Sequence, residues 1–194
     1  MTMRVLMVCT GNICRSVMAH QMLEETARAQ GLELVVDSAG VSDEERGNPV
    51  DRRAARALRE GGYRVPNHRA RQIQPGELGR WDLILAMTGN HLRAVERLLE
   101  REGVGDSGRG VARPVVKMFR EFDPRVSAAA AAAVGAEADS AGADHGQNHP
   151  LRNMDMPDPW YGDYSDFLET RDTIERSLPA LMDYIRRRGE GSEE

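Results

Sequence analysis

A stretch near the start of the chain, Val8 to Ser16, reads Val-Cys-Thr-Gly-Asn-Ile-Cys-Arg-Ser. It follows the apolar run Val5 to Val8 and leads into a helical pattern from Arg15, so it occupies a strand-to-helix turn. Gly11 and Asn12 are the residues there that tolerate left-handed backbone, which lets successive N–H groups converge on one point as an anion-binding nest. The helix that follows adds its positive N-terminal end to the same point. Cys9 and Arg15 stand at opposite ends of the loop with five residues between them. That layout suits attack on a phosphorus atom whose oxygens are held. Cys9 and Arg15 are the expected catalytic pair, and Thr10, Gly11, Asn12, Ile13, Cys14 and Ser16 the expected phosphate-binding loop.

The chemistry asks for these residue types. Thiolate is the nucleophile, and a free cysteine has a pKa of about 8.5, so activation needs positive potential nearby. The nest, the helix end and Arg15 supply it. Arg15 can also grip two oxygens bidentately, a geometry lysine does not copy, and stabilise the charge they share in the transition state. The hydroxyl of Ser16 can donate to the Cys9 sulfur and make it a better leaving group in a second step.

This loop resembles the signature of the low-molecular-weight protein tyrosine phosphatases, Cys-x-Gly-Asn-x-Cys-Arg-Ser-Pro near the N-terminus. The chain matches it except that Val17 replaces the proline, which would preset the first helical turn. The larger Cys-x5-Arg phosphatases usually carry a His before the nucleophile, where this chain has Val8. The resemblance spans Met3 to Pro124 and Asp155 to Arg188. By resemblance Ser38, in Ser38-Ala39-Gly40, braces Asn12, and His68 hydrogen-bonds to the loop. Gly47, Pro49, Asp51 and Arg53 match a further family pattern. Glu44 and Glu45 stand where relatives often have an aromatic-His pair on the rim, and Thr88 follows Met87 where relatives usually have Asp. At Asp158-Pro159-Trp160-Tyr161 the family places its general acid, so Asp158 is the implied catalytic acid. Trp160 and Tyr161 offer flat faces to a ring at the crevice mouth, with Ile13, Glu44 and Glu45 as the other expected walls.

The order of elements agrees with a parallel sheet. Met3 to Val8 is a continuous apolar run of the kind covered on both faces, and so a central strand. Arg15 to Gln30 is helical, with Gly31 where a helix end wants left-handed backbone. Leu32 to Val36 predicts a second strand running into a turn at Asp37 to Gly40, and Val50 to Glu60 a helix closed by Gly61-Gly62. Trp81 to Met87 and Val111 to Phe119 predict the third and fourth strands, the latter carrying Pro114, which a sheet tolerates at an edge or a strand end. Three strand–helix units imply right-handed crossovers, with the ligand crevice at the strand carboxyl ends beside Cys9. The expected fold is α/β, Rossmann-like, a four-stranded parallel sheet flanked by helices. Residues 1–188 form a single expected domain, interrupted at 125–154 by a flexible insertion that includes Ala128 to Ala133 and almost no large apolar side chain. The last helix begins near Ser165, Pro179 should kink or break it, and the charged stretch from Arg186 frays into a disordered tail over 189–194.

Composition narrows the partners. With 194 residues, a net charge of −5 and no basic stripe interleaved with aromatics, the chain does not read as a nucleic-acid binder. No apolar stretch approaches the ~18 residues of a membrane span, and Met1 to Arg4 leads straight into a strand, so the expectation is a cytoplasmic protein with no membrane partner. Cys9 and Cys14 are the two cysteines, too close in sequence to staple a fold and without zinc-type spacing. Neither metal nor cofactor is expected; Cys14 is the expected redox partner of Cys9, and oligomeric state is left open.

The expected activity is hydrolysis of phosphotyrosine proteins through a phosphocysteine intermediate. Arsenate reductases share the resembled fold but need further cysteines for electron relay, and none follows Cys14. Protein-arginine phosphatases use the same loop with Thr before the second Cys, where this chain has Ile13. A non-catalytic phosphoprotein-binding module is the third alternative, disfavoured by the presence of both Cys9 and Asp158.

Overall fold

Val5, Leu6, Met7 and Val8 have no exposed surface, because the strand that carries them is covered on both faces. The architecture is that of a computed structural model describing residues 2–105, 112–126 and 154–190. In chain order it contains β1 (Met3–Cys9), α1 (Arg15–Ala29), β2 (Leu34–Gly40), α2 (Arg52–Glu60), β3 (Leu83–Ala86), α3 (Gly89–Glu102), β4 (Val115–Met118) and α4 (Tyr164–Glu190). The strands form one sheet in the order β2-β1-β3-β4, with every pair parallel. The expected four-stranded parallel sheet flanked by helices is therefore present, with β1 inside it.

Strand alternation divides the core in two. Val5, Met7 and Cys9 pack with Met18 and Met22 of α1, Leu58 of α2 and Phe167, Ile174 and Leu181 of α4. Leu6 and Val8 point the other way, into a cluster with Ile84 of β3 and Val95 and Leu99 of α3. Both layers converge on the carboxyl end of β1, where Cys9 sits.

Local boundaries differ from the sequence expectation in several places. Asp37 to Gly40 is strand rather than turn, since it pairs residue by residue with Leu6 to Cys9 and brings Gly40 beside Cys9. Tertiary pairing overrides the turn propensity of Asp-Ser-Ala-Gly here. The third strand narrows to Leu83–Ala86, and the fourth begins at Val115, immediately after Pro114, on the edge of the sheet where the missing N–H is tolerated. Pro179 does not break the last helix, which runs unbroken from Tyr164 to Glu190. Its ring is on the exposed face, while Leu178, Leu181, Met182 and Ile185 are buried and hold the helix against the core. Helix α4 thus continues through Gly189 and Glu190, past the expected start of the tail at 189. The remaining tail residues, and 127–153 of the expected insertion, lie outside the described residues. Among the described residues no helix is long and apolar enough to cross a membrane.

Candidate active site

The loop between β1 and α1 is held from behind by one buried side chain. Asn12 has φ +62°, the only described non-glycine residue with positive φ. Its Nδ2 donates to Ser16 Oγ at 3.0 Å and to Ser38 Oγ at 2.9 Å, while its Oδ1 accepts the Arg71 N–H at 3.1 Å. Its backbone carbonyl meets His68 Nε2 at 2.7 Å. With its side chain and carbonyl engaged on the protein side, the loop is fixed before any ligand arrives. Gly11, expected to share the left-handed turn, does not have positive φ. It is glycine for space: a Cβ there would lie 2.8 Å from Cγ of Glu45. Gly40 is confined in the same way, since a Cβ would come within 2.4 Å of the Thr10 carbonyl oxygen, where Val41 and Ser42 N–H groups reach Cys9 and Thr10 carbonyls at 2.9 and 3.0 Å.

Cys9 Sγ accepts the Asn12 N–H at 3.3 Å and lies 2.9 Å from Ser16 Oγ. Arg15 opens α1, and its side chain crosses to a segment from the far end of the chain. Nη1 donates to the Met156 carbonyl at 3.1 Å, and Nη2 to Asp158 Oδ2 at 2.5 Å. The 155–158 segment is anchored where β3 ends, by the Met156 N–H on the Met87 carbonyl at 2.8 Å and the Gly89 N–H on Asp155 Oδ1 at 2.6 Å.

These groups face a cavity of about 110 Å³. Its floor is the loop from Cys9 to Arg15, and its walls are Glu44 and Glu45 on one side and Asp158, Trp160 and Tyr161 on another. Trp160 is 41% and Tyr161 91% exposed, so both leave flat faces at the mouth. Ile13 lines the cavity but is only 7% exposed; much of it packs into the core. Glu45 is steadied by Asn48 Nδ2 at 2.7 Å. The expected residues of floor, walls and acid thus come together, and Ser38 and His68 stand behind the floor.

Two supports were not legible as parts of the site. His91, at the start of α3, bridges Thr10 Oγ1 at 2.9 Å through Nε2 and Thr88 Oγ1 at 3.0 Å through Nδ1, and Thr88 also caps the helix by accepting the His91 N–H. The departure at Thr88 therefore completes a hydrogen-bonded path from α3 to the loop. Asp51, the N-cap of α2, donates its N–H to the Ile13 carbonyl at 2.9 Å, and its carboxylate takes the Arg53 guanidinium. The Gly-x-Pro-x-Asp-x-Arg match was the sequence signal for the second; nothing in the sequence pointed to the first.

Burial sets the protonation of the groups behind the floor. His91 is pushed down to about 4, chiefly by burial and then by the Arg15 charge, so it is neutral near pH 7. His68 is also lowered by burial, opposed by its bond to the Asn12 carbonyl. The Cys14 thiol moves the other way, raised by burial first and by the Asp51 charge second. Both cysteines are free and buried. Among the described residues no group of three or more His, Cys, Asp or Glu is placed to hold a metal ion.

Comparison with known proteins agrees with this geometry. Residues 4–132 match the family described as low molecular weight phosphotyrosine protein phosphatase. The low molecular weight protein-tyrosine phosphatase A of Mycobacterium tuberculosis is 36% identical over 185 residues, covering 94% of this chain and 91% of that protein. The low molecular weight protein-tyrosine-phosphatase of Streptomyces coelicolor is 35% identical over 193 residues, 98% of each. Among solved structures, the YwlE arginine phosphatase with a phosphorylated active-site serine superposes with a TM-score of 0.66 at 25% identity, covering 95% of this chain and 96% of that one. A family match over most of the chain and relatives at 35–36% identity along nearly their whole length lead to one conclusion: the chain belongs to the low molecular weight phosphotyrosine protein phosphatase family.

Proposed function

We propose that the protein hydrolyses phosphotyrosine in protein substrates through a phosphocysteine intermediate, without metal or cofactor. The observation that carries this reading is the convergence of Cys9, Arg15 and Asp158, from opposite ends of the chain, on one small cavity. A substrate phosphate takes the place of the Asp158 carboxylate on Arg15, and the loop amides hold its other oxygens. The Cys9 thiolate attacks phosphorus as the bond to the phenolic oxygen breaks, and Asp158 gives that oxygen its proton. Water then attacks the phosphocysteine, Asp158 takes a proton from it, and the P–S bond breaks to release phosphate. Ser16, already 2.9 Å from the sulfur, stabilises the departing thiolate.

The walls account for the substrate. Reaching the floor past Ile13 and Trp160 needs a flat arm about one ring long, which phosphotyrosine has and phosphoserine lacks. Burying that ring contributes at about 25 cal/mol per Å² of apolar area. Phosphotyrosine peptides should therefore exceed phosphoserine peptides at least tenfold in kcat/KM, about 1.4 kcal/mol in transition-state binding. The Glu44–Glu45 rim disfavours strongly acidic peptides, an effect that salt weakens. The second reading, an arginine phosphatase, is favoured by the likeness to YwlE and opposed by Ile13 in the loop. Residues 1–188 act as one domain, and a cytoplasmic site of action fits the reduced state that Cys9 requires.

The test is turnover of an aryl phosphate by wild type, Cys9→Ser and Arg15→Lys. Cys9→Ser should lose turnover while still binding oxyanions, and Arg15→Lys should be almost as damaging because a point charge does not replace the fork. Activity above background in Cys9→Ser would defeat the mechanism.

A further inference from the structure

The guanidinium of Arg53 joins two segments that meet only in the folded chain. On one side it is held by Asp51, with Nε and Nη2 each 3.3 Å from a carboxylate oxygen, and the Asp51 N–H grips the phosphate-binding loop at the Ile13 carbonyl. On the other side Nη1 donates to the carbonyls of Trp160 and Gly162, both at 3.3 Å. The first of these carbonyls lies within the short 3-10 turn Pro159–Tyr161, which Asp158 caps at its start, and the second belongs to Gly162, which closes it. The guanidinium carbon also lies 4.5 Å from the centre of the Phe167 ring and 5.5 Å from that of Trp160.

From this we infer that Arg53 is a positioning residue for the general acid, fixing the loop that carries Asp158 at a set distance from the loop that holds the phosphate. The inference rests on the phosphatase reading above. Arg53 touches neither Cys9 nor the phosphate floor; it acts through the backbone carbonyls of Trp160 and Gly162. The residue type follows from the geometry. One group has to accept a bidentate carboxylate, donate to two carbonyls and present a planar face to rings, and a guanidinium does all three where an ammonium does not. Asp158 itself contributes only one restraint from within its turn, accepting the Trp160 N–H at 3.1 Å. Beside the Arg15–Asp158 ion pair, the tether to Arg53 ties that turn to the Ile13 side of the cavity.

A misplaced acid has a kinetic signature that general loosening lacks. Protonation by Asp158 matters most when the departing phenol is weakly acidic and least when it is strongly acidic, as with p-nitrophenol. The experiment measures kcat/KM for phenyl phosphate and p-nitrophenyl phosphate with wild type, Arg53→Met, Asp158→Asn and the double variant. General acid catalysis is commonly worth about 100-fold to 10,000-fold, so partial misplacement in Arg53→Met should cost about tenfold on phenyl phosphate and less than about twofold on p-nitrophenyl phosphate. The double variant should show no selectivity beyond that of Asp158→Asn. Equal losses on the two esters, or the same selective loss with Asp158 already replaced, would overturn the inference. If Arg53→Met does not fold, Arg53→Lys keeps the charge and much of the stem and is read by the same ratio, with a smaller shift expected. Wild type that turned over neither ester would instead defeat the phosphatase reading on which the inference rests.

Discussion

Arg15 and Asp158, 143 positions apart in the chain, are joined by an ion pair with Nη2 and Oδ2 at 2.5 Å. The side chain proposed to hold phosphate is thus occupied by the side chain proposed to protonate the leaving group. An incoming dianion has to displace that carboxylate and then tolerate its charge nearby.

Asp158→Asn should therefore bind oxyanions more tightly while losing turnover. Removing a carboxylate competitor from Arg15 is expected to lower the inhibition constant of inorganic phosphate about tenfold, or about 1.4 kcal/mol. Competitive inhibition, measured with p-nitrophenyl phosphate on wild type and on the residual activity of the variant, checks it. An unchanged constant would mean that the ion pair does not oppose binding.

His91 makes stability depend on pH. Its folded pKa of about 4 lies below the ordinary 6.5, so between those values the unfolded chain binds a proton that the folded chain does not. Stability is full above about pH 6.5 and falls as pH drops towards 4, by about 3 kcal/mol for this group. His20 and His68, both lowered by burial, add to the fall in the same direction. His91→Gln should flatten the decline measured by denaturant unfolding across that range; parallel curves for the two proteins would remove His91 as its source.

Much of the floor was legible because its parts are contiguous. Cys9, Arg15 and Ser16 lie within one turn of chain, and an apolar strand on one side with a helical pattern on the other set their geometry. Asp158 was legible only by resemblance, since Asp-Pro is an ordinary turn and its link to Arg15 spans 143 residues. Arg53 and Trp160 are 107 apart, and Thr10 and His91 are 81 apart. Such contacts depend on how the layers stack, which local pattern does not encode. Gly11 misled for a related reason: its smallness serves the approach of Glu45 rather than a left-handed turn. Pro179 does not break the last helix, because it holds an exposed position on a helix otherwise held by the core.

Ile13→Thr tests the choice between the two phosphatase readings. The substitution shortens the wall and adds a hydroxyl beside the phosphate, so phosphoarginine activity should rise relative to phosphotyrosine activity. The ratio of kcat/KM values on the two substrates is the readout. No gain would mean that Ile13 does not filter substrates.

Oxidation should distinguish the two cysteines. Peroxide converts the Cys9 thiolate to a sulfenic acid, and attack by the Cys14 sulfur would expel water and leave a reducible disulfide. Because burial raises the Cys14 thiol, few thiolates are present and this closure is slow at neutral pH. Reductant should restore activity to peroxide-treated wild type, with recovery increasing at higher pH, and much less to Cys14→Ser. Equal recovery would defeat the pairing.

Replacing residues 127–149 by a short Gly-Ser splice should leave melting temperature and turnover of small substrates nearly unchanged. This stretch carries almost no large apolar side chain, and loop-closure entropy changes by about 0.6 kcal/mol per doubling of length. A large fall in melting temperature would show that this stretch packs against the domain.

Asn12 concentrates risk. Its single amide serves Ser16, Ser38 and Arg71 at once, and its carbonyl serves His68. Losing the Ser16 or Ser38 hydroxyl leaves the buried amide short of a bond and frees the Asn12 side chain to turn, so the next loss costs a different amount from the first. Substitutions at Ser16 and Ser38 are therefore epistatic, and the order in which a lineage acquires them decides which are tolerated.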